Sequence, residues 1–367
     1  MKATKITADE LKEKFEKKSN VIVLDVRPQQ QRDDWQISGS IYKDIYDRLQ
    51  QGDSTVFDDM DLPKEATIVT VCAAGRSSQL AADILADKGY YAQSLEGGMK
   101  AWNYAWNTAE ASDDTLTIIQ VRRVAKGCLS YIIGSGKSAM VIDASLDPEV
   151  YFSLASTRDW NIIYVSDTHI HADYISRSIE LVKVTGATHL FTENADVDYP
   201  FVPLADGQQL RLGDAYIKAI HTPGHTPESI SYLIDESYLL TGDTLFVDGV
   251  GRPDLKADAV QTRRKAQQLF VSLSKIKGLP NDPLILPAHT SHAIDFDNVI
   301  IGNKLSGLVH QIELLNIQEQ QFVASIVERI PQTPANYLQI SAINKAGQHD
   351  GIDPADLEAG ANRCAIA

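Results

Sequence analysis

Asp167-Thr168-His169-Ile170-His171-Ala172-Asp173-Tyr174 is the stretch on which the fold of the larger part of this chain turns. Three side chains able to bind a metal, His169, His171 and Asp173, alternate within five residues. Extended or turn backbone aims alternate side chains toward one side. The apolar run 162–165 just before them reads as a strand, so the cluster sits at a strand end. Three further segments repeat this placement: His221-Thr222-Pro223-Gly224-His225-Thr226, Thr241-Gly242-Asp243-Thr244 and Leu286-Pro287-Ala288-His289. One segment cannot fill a coordination shell, and strand ends converging on one sheet edge can. The isolated His189, His310 and His349 read instead as ordinary core or surface groups.

Around these clusters the pattern is β-rich. Strands are expected at 116–121, 129–133, 139–142, 216–220, 230–234 and 238–240, with 134–137 as a hairpin connection. Helices are expected at 148–156, 175–185 and 314–330, the last ended by Pro331. Before position 109 the pattern alternates strand and helix. Thr7-Ala8-Asp9-Glu10 reads as a capping box opening a helix through about Lys17. The runs 21–26 and 67–71 read as strands covered on both faces, and a helix over 77–88 stops at Gly89. This is an open α/β layer with a parallel sheet. Asn107-Thr108-Ala109-Glu110-Ala111-Ser112-Asp113-Asp114 is small, polar and acidic. It divides the chain into a first domain 1–108, a linker 109–114, a second domain 115–345 and a tail 346–367 packing on that second domain.

Composition narrows the function. The chain has 367 residues, 44% hydrophobic and 23% charged, which is ordinary for a soluble globular protein of two or three domains. A formal net charge of −15 argues against nucleic-acid or anionic-membrane partners. No run approaches the roughly 18 apolar residues of a membrane span. Met1-Lys2-Ala3-Thr4-Lys5 leads into no apolar stretch, so no secretory signal is expected. Three cysteines, Cys72, Cys128 and Cys364, are too few for a disulfide scaffold and point to a reducing, cytoplasmic setting. Cys128 reads as a core residue and Cys364 as packing the tail.

Cys72-Ala73-Ala74-Gly75-Arg76-Ser77 joins a buried strand to a helix. Successive backbone N–H groups and the positive end of the helix favour an anion there, such as a thiolate at Cys72, and Arg76 adds a formal charge. The loop is too short to grip phosphate and suits a single transferred sulfur atom. With Leu24-Asp25-Val26-Arg27 and Leu95-Glu96-Gly97-Gly98-Met99-Lys100-Ala101-Trp102, it makes the first hundred residues resemble a rhodanese domain. The resemblance implies a persulfide on Cys72, with Cys72 and Arg76 as its catalytic residues. Asp25 and Arg27 read as a structural ion pair, and Ser40 stands where that family shows a histidine.

The metal clusters resemble the metallo-β-lactamase superfamily, which implies an αββα sandwich with the metal at one sheet edge. The family motif His-x-His-x-Asp-His ends here in Tyr174 rather than histidine. What remains is a two-histidine, one-carboxylate set, His169, His225 and Asp243. Such a facial set leaves open positions and suits one Fe(II) per chain reacting with dioxygen, with zinc the other metal these donors accept. His171, Asp173 and His289 would orient the ligands. His221-Thr222-Pro223-Gly224-His225-Thr226, Gly251-Arg252-Pro253-Asp254, Pro287-Ala288-His289 and the tail Ala361-Asn362-Arg363-Cys364 resemble persulfide dioxygenases more closely. That resemblance gives Arg252 a substrate-binding role, against which stands its reading as a partner of Asp254. A tyrosine of that family is replaced by Ser291.

Together the two sites imply a persulfide dioxygenase fused to a sulfurtransferase. Its small-molecule partners would be a thiol persulfide, O2, sulfite and thiosulfate, and its expected assembly a homo-oligomer, at its simplest a dimer. Two other readings stay open: a metal-dependent thioester hydrolase resembling glyoxalase II, and a non-catalytic sulfur-relay or sensing protein.

Overall fold

The computed structural model describes residues 2–348, 351–360 and 362–367. His349 and Ala361 of the tail signature lie outside the described residues.

The first domain is a five-stranded parallel sheet in the order Thr4–Ile6, Tyr91–Leu95, Thr67–Val71, Val21–Asp25 and Ile41–Tyr42. Thr7 and Glu10 close the expected capping box on the helix Ala8–Glu16. Val23, Leu24, Ile68, Val69 and Val71 are buried, as continuous apolar runs in a covered sheet must be. The helix Arg76–Asp87 follows the strand Thr67–Val71 directly after the Cys72 loop.

The second domain stacks a seven-stranded sheet on a six-stranded one. Alternation along each strand sorts the side chains. Ile118, Ile133, Met140, Ile142, Ile217, Tyr232 and Leu240 fill the space between the sheets. Ile119, Ile132 and Val141 face the helices Pro148–Ser156 and Ser178–Thr185, while Leu233, Leu239 and Ile285 face Ala259–Lys277 and Glu319–Glu328. Helix, sheet, sheet, helix is the expected sandwich. The helix expected from 175 begins only at Ser178. The backbone N–H groups of Ile175 and Ser176 are taken by the side chains of Glu358 and Asn344. The stretch expected as one helix over 314–330 is a 3-10 turn, Glu313–Asn316, followed by the helix Glu319–Glu328.

The expected linker is corrected. Trp106–Ser112 is a seven-residue strand pairing antiparallel with Thr117–Arg123 at the edge of the larger sheet. Backbone pairing does not need apolar side chains, and a polar, charged edge strand discourages further pairing. The two domains therefore meet directly. One apolar cluster runs from Ile6, Leu11 and Trp102 into Leu116 and Ile118. Phe15 stacks on Phe296 with ring centroids 5.1 Å apart.

The C-terminal segment is bolted down. Ala365–Ile366 pairs with Val250–Gly251. Glu358 and Arg123, both fully buried, form an ion pair at 2.9 Å. Removing one partner leaves a buried charge uncompensated. Glu358→Ala is expected to lower unfolding free energy by about 3–5 kcal/mol, read from urea denaturation. A change below about 1 kcal/mol, the size of an exposed pair, would contradict the burial of this bridge.

Candidate metal centre

Four strand ends build the site. Asn161–Ser166 delivers His169, His171 and Asp173; Ala215–His221 leads to His225; Tyr238–Gly242 delivers Asp243; Leu284–Pro287 delivers His289. The last two strands are parallel neighbours, with Gly242 level with Pro287. Gly242 is left-handed, φ +54°, and a Cβ there would lie 2.6 Å from the Thr168 hydroxyl. Glycine thus lets the Asp243 turn close onto the His169 turn.

His169, His225 and Asp243 each offer one atom, all within 4.8 Å of one another and all buried. Asp243 Oδ2 lies 3.7 Å from His169 Nε2 and 3.6 Å from His225 Nε2. It is buried and has no hydrogen-bond partner, an arrangement that a cation explains. The imidazoles are oriented for one. His225 Nδ1–H donates to the Arg252 carbonyl at 2.8 Å, leaving the Nε2 lone pair free. His169 Nδ1 lies 3.0 Å from the Thr168 hydroxyl, which donates onward to Asp143 at 2.9 Å. Burial pulls both His169 and His225 below the ordinary histidine range, keeping them neutral, as ligands must be. Two imidazole nitrogens and one carboxylate oxygen fit iron and zinc alike.

The remaining residues of the motif are engaged in part, with His171 Nδ1 and Asp173 Oδ1 buried and unpartnered. His171 Nε2–H is shared between Asp143 Oδ1 at 3.0 Å and Tyr174 Oη at 2.8 Å. The tyrosine hydroxyl donates a hydrogen bond to the Asp143 carbonyl at 3.3 Å. His289 spans two carboxylates: Nδ1 binds Asp243 Oδ1 at 2.6 Å, and Nε2 lies 3.0 Å from Asp173 Oδ2, an ion-pair contact without hydrogen-bond alignment. Burial opposes its charge, yet Asp173 and Asp243 together outweigh burial and raise its pKa well above the ordinary value. His289 thus sits between two carboxylates and directly against one of the candidate ligands.

Of the two readings of Arg252, substrate binding and pairing with Asp254, the side-chain contacts match the second. Arg252 is fully buried and all five N–H donors are used: Asp254 twice at 2.8 Å, and the carbonyls of Gln332, Arg363 and Pro331. It clamps the chain behind the site. Residues not foreseen are Asp143, Thr168, Cys128, Asn362 and Cys364. Cys128 Sγ and Asn362 Nδ2 reach Asp173 Oδ2 at 3.5 and 3.0 Å, and Cys364 lies against Asp243 and His289. Asp143 had a visible signal: like Asp243, it follows a buried apolar strand directly. A cleft of about 490 Å³ opens beside His225, with Glu228, Lys256, Arg264, Lys265 and Tyr337 in its walls.

The Cys72 site forms separately. Cys72 Sγ accepts the Gly75 N–H at 3.2 Å and lies 3.3 Å from the Ser78 hydroxyl. The Gly97-Gly98 turn locks the loop, with Met99 N–H and Lys100 N–H donating to the Cys72 and Ala73 carbonyls at 2.8 and 3.0 Å. A Cβ on Gly98 would lie 2.2 Å from the Cys72 carbonyl, so only glycine fits. Arg76, expected to act with Cys72, is exposed at the first turn of the following helix. Asp25 and Arg27 form the expected buried pair, at 2.7 and 2.9 Å.

Comparison with known proteins agrees with this division. Residues 7–105 match the rhodanese-like domain and residues 189–289 the metallo-beta-lactamase superfamily. The mitochondrial persulfide dioxygenase ETHE1 of Bos taurus is 30% identical over 183 residues, 47% of this chain and 68% of that protein. The hydroxyacylglutathione hydrolase of Methylococcus capsulatus is 31% identical over 159 residues, 42% of this chain and 58% of that protein. Against this hydrolase and that of Rhizobium etli, the chain spans only 58% and 51% of the relative's length. The crystal structure of ETHE1 from Myxococcus xanthus superposes with a TM-score of 0.54 at 25% identity, covering 66% of this chain and all of that one. The chain belongs to the metallo-beta-lactamase superfamily, as a persulfide dioxygenase-like fusion whose first domain is rhodanese-like.

Proposed function

We propose that this chain oxidises low-molecular-weight thiol persulfides with dioxygen, yielding sulfite and the free thiol, and that Cys72 moves sulfane sulfur between carriers. The observation that carries the reading is the buried, unpartnered Asp243 Oδ2 facing the Nε2 atoms of His169 and His225. His171 is held by Asp143 and Tyr174, and His289 by Asp243 and Asp173. His169, His225 and Asp243 bring three donor atoms within 4.8 Å of one another, a set that suits a single metal. Iron held there supplies dioxygen activation and open positions for a substrate sulfur.

The chain's own residues do the rest. Thr168 and the Arg252 carbonyl fix the two imidazole rings. His289 holds Asp243 Oδ1, turning Oδ2 inward. Lys256, Arg264 and Lys265 outnumber Glu228 along the cleft, which suits the anionic end of an organic thiol. At the other site, the Gly75 N–H and the Ser78 hydroxyl stabilise sulfur anion on Cys72.

Thioester hydrolysis is the second reading, favoured by the 31% identity to a hydroxyacylglutathione hydrolase. A fused sulfur-carrier domain has no role in that reaction. The deciding experiment follows oxygen by electrode as the anaerobically purified, iron-loaded chain meets the persulfides of glutathione, coenzyme A, bacillithiol and cysteine. Oxygen uptake matched by sulfite is expected with at least one of them. No uptake with any, alongside thioester cleavage by the zinc-loaded chain, would replace the first reading by the second.

A further inference from the structure

The Cys72 loop faces the C-terminal segment of the second domain on one side. A cavity of about 320 Å³ lies over it, walled by Trp35, Ala73 and Ala74 on the rhodanese side and by Ala355, Asp356 and Ala359 of the C-terminal segment on the other. That second wall is anchored on both domains. Lys100 Nζ binds Asp356 at 2.5 Å and Asp353 at 3.2 Å, and Arg363 pairs with Asp34. Behind it, Glu358 is held by buried Arg123, and Lys126 Nζ donates to the Gly360 carbonyl at 3.2 Å. Exposed pairs such as Lys100–Asp356 contribute little individually. The buried pair and the Ala365–Ile366 strand are what fix the wall in place.

We propose that the second domain's C-terminal segment restricts sulfur exchange at Cys72 to small-molecule thiols and sulfur anions, and excludes protein acceptors. The cavity lies at the small end of the roughly 300–1,000 Å³ of ordinary small-ligand pockets. A cysteine on a partner protein would arrive with an element about 10 Å across, which Ala355, Asp356 and Ala359 would meet on one side of the loop. This rests on the reading of Cys72 as a sulfur carrier. In the exchange, the acceptor thiolate attacks the outer sulfur of the Cys72 persulfide. The Cys72 Sγ–S bond breaks, a new S–S bond forms on the acceptor, and Cys72 leaves as thiolate. One thiolate enters and one departs, with no net oxidation.

The test uses the full-length chain and site-resolved mass spectrometry. Alkylation of Cys72 by iodoacetamide is compared with that by a maleimide bearing a long polyethylene glycol chain, each rate divided by its rate with free cysteine. The long reagent is expected to lag by at least about a hundredfold. Ala359→Trp, which fills the cavity, is expected to slow the small reagent by about tenfold while leaving the metal content unchanged. Cys72 loaded with one extra sulfur is then offered glutathione or reduced thioredoxin, and transfer to glutathione alone is expected. Equal normalised rates for the two reagents, or sulfur transfer to thioredoxin as fast as to glutathione, would overturn the proposal. Failure of Cys72 to take up sulfur would instead strike the carrier reading, and the alkylation rates would still report on the wall.

Discussion

Asp243→Ala is expected to leave the chain nearly free of metal and to cut persulfide oxidation by at least about a thousandfold. Asp243 is the one anionic donor of the three and is fully buried, so alanine leaves two neutral imidazoles facing an apolar gap. The same change removes a partner of His289, which then keeps only the poorly aligned Asp173 contact. A cost in stability of a few kcal/mol therefore accompanies the loss of metal. His225→Gln separates the two effects. It leaves the Asp243–His289 bond intact, and its metal loss cannot be charged to that network. Elemental analysis beside circular dichroism reads both outcomes. A folded Asp243→Ala chain retaining a full complement of iron would show that the metal binds elsewhere.

Cys72→Ser is expected to abolish sulfur transfer, a drop beyond about a thousandfold, while oxygen uptake with a supplied persulfide stays within about twofold. Serine is nearly isosteric and keeps an acceptor for the Gly75 N–H and a partner for Ser78, so the loop conformation survives. A hydroxyl cannot carry a sulfane sulfur. The two sites are built on different sheets, and the three candidate ligands His169, His225 and Asp243 all lie in the second domain. Thiosulfate-to-thiol transfer and the oxygen electrode, run on the same preparation, give the pair of rates. Joint loss of both activities in a folded variant would mean that the metal site depends on Cys72.

What could be read from the sequence follows from how each element is built. The ligand clusters stood out because each begins where a run of buried apolar residues stops, and the eye needs only the run and the polar residue after it. The helix Ala259–Lys277 left no such mark. Its buried face mixes Thr262, Ala266 and Ser272 with Leu269, Leu273 and Ile276, so the helical period of apolar residues is broken. Its capping box at Asp258 and Gln261 was the available signal. The strand Trp106–Ser112 reads as a linker in sequence because edge strands tolerate polar residues. Arg252 could not be settled from sequence, since Gln332, Pro331 and Arg363 reach it from far along the chain. The same holds for His289, whose place between Asp173 and Asp243 depends on three separate strand ends.

That histidine and Tyr174 flank the three candidate ligands, and stoichiometry tests the proposed single-metal centre. The most direct measurement is the metal content of the full-length chain after anaerobic reconstitution with excess Fe(II) and desalting, with the Asp243→Ala chain as blank. The three-donor set His169, His225 and Asp243 predicts about one iron per chain. Two tightly held metals per chain would contradict the single-metal centre, and with it the oxygen chemistry proposed for this protein.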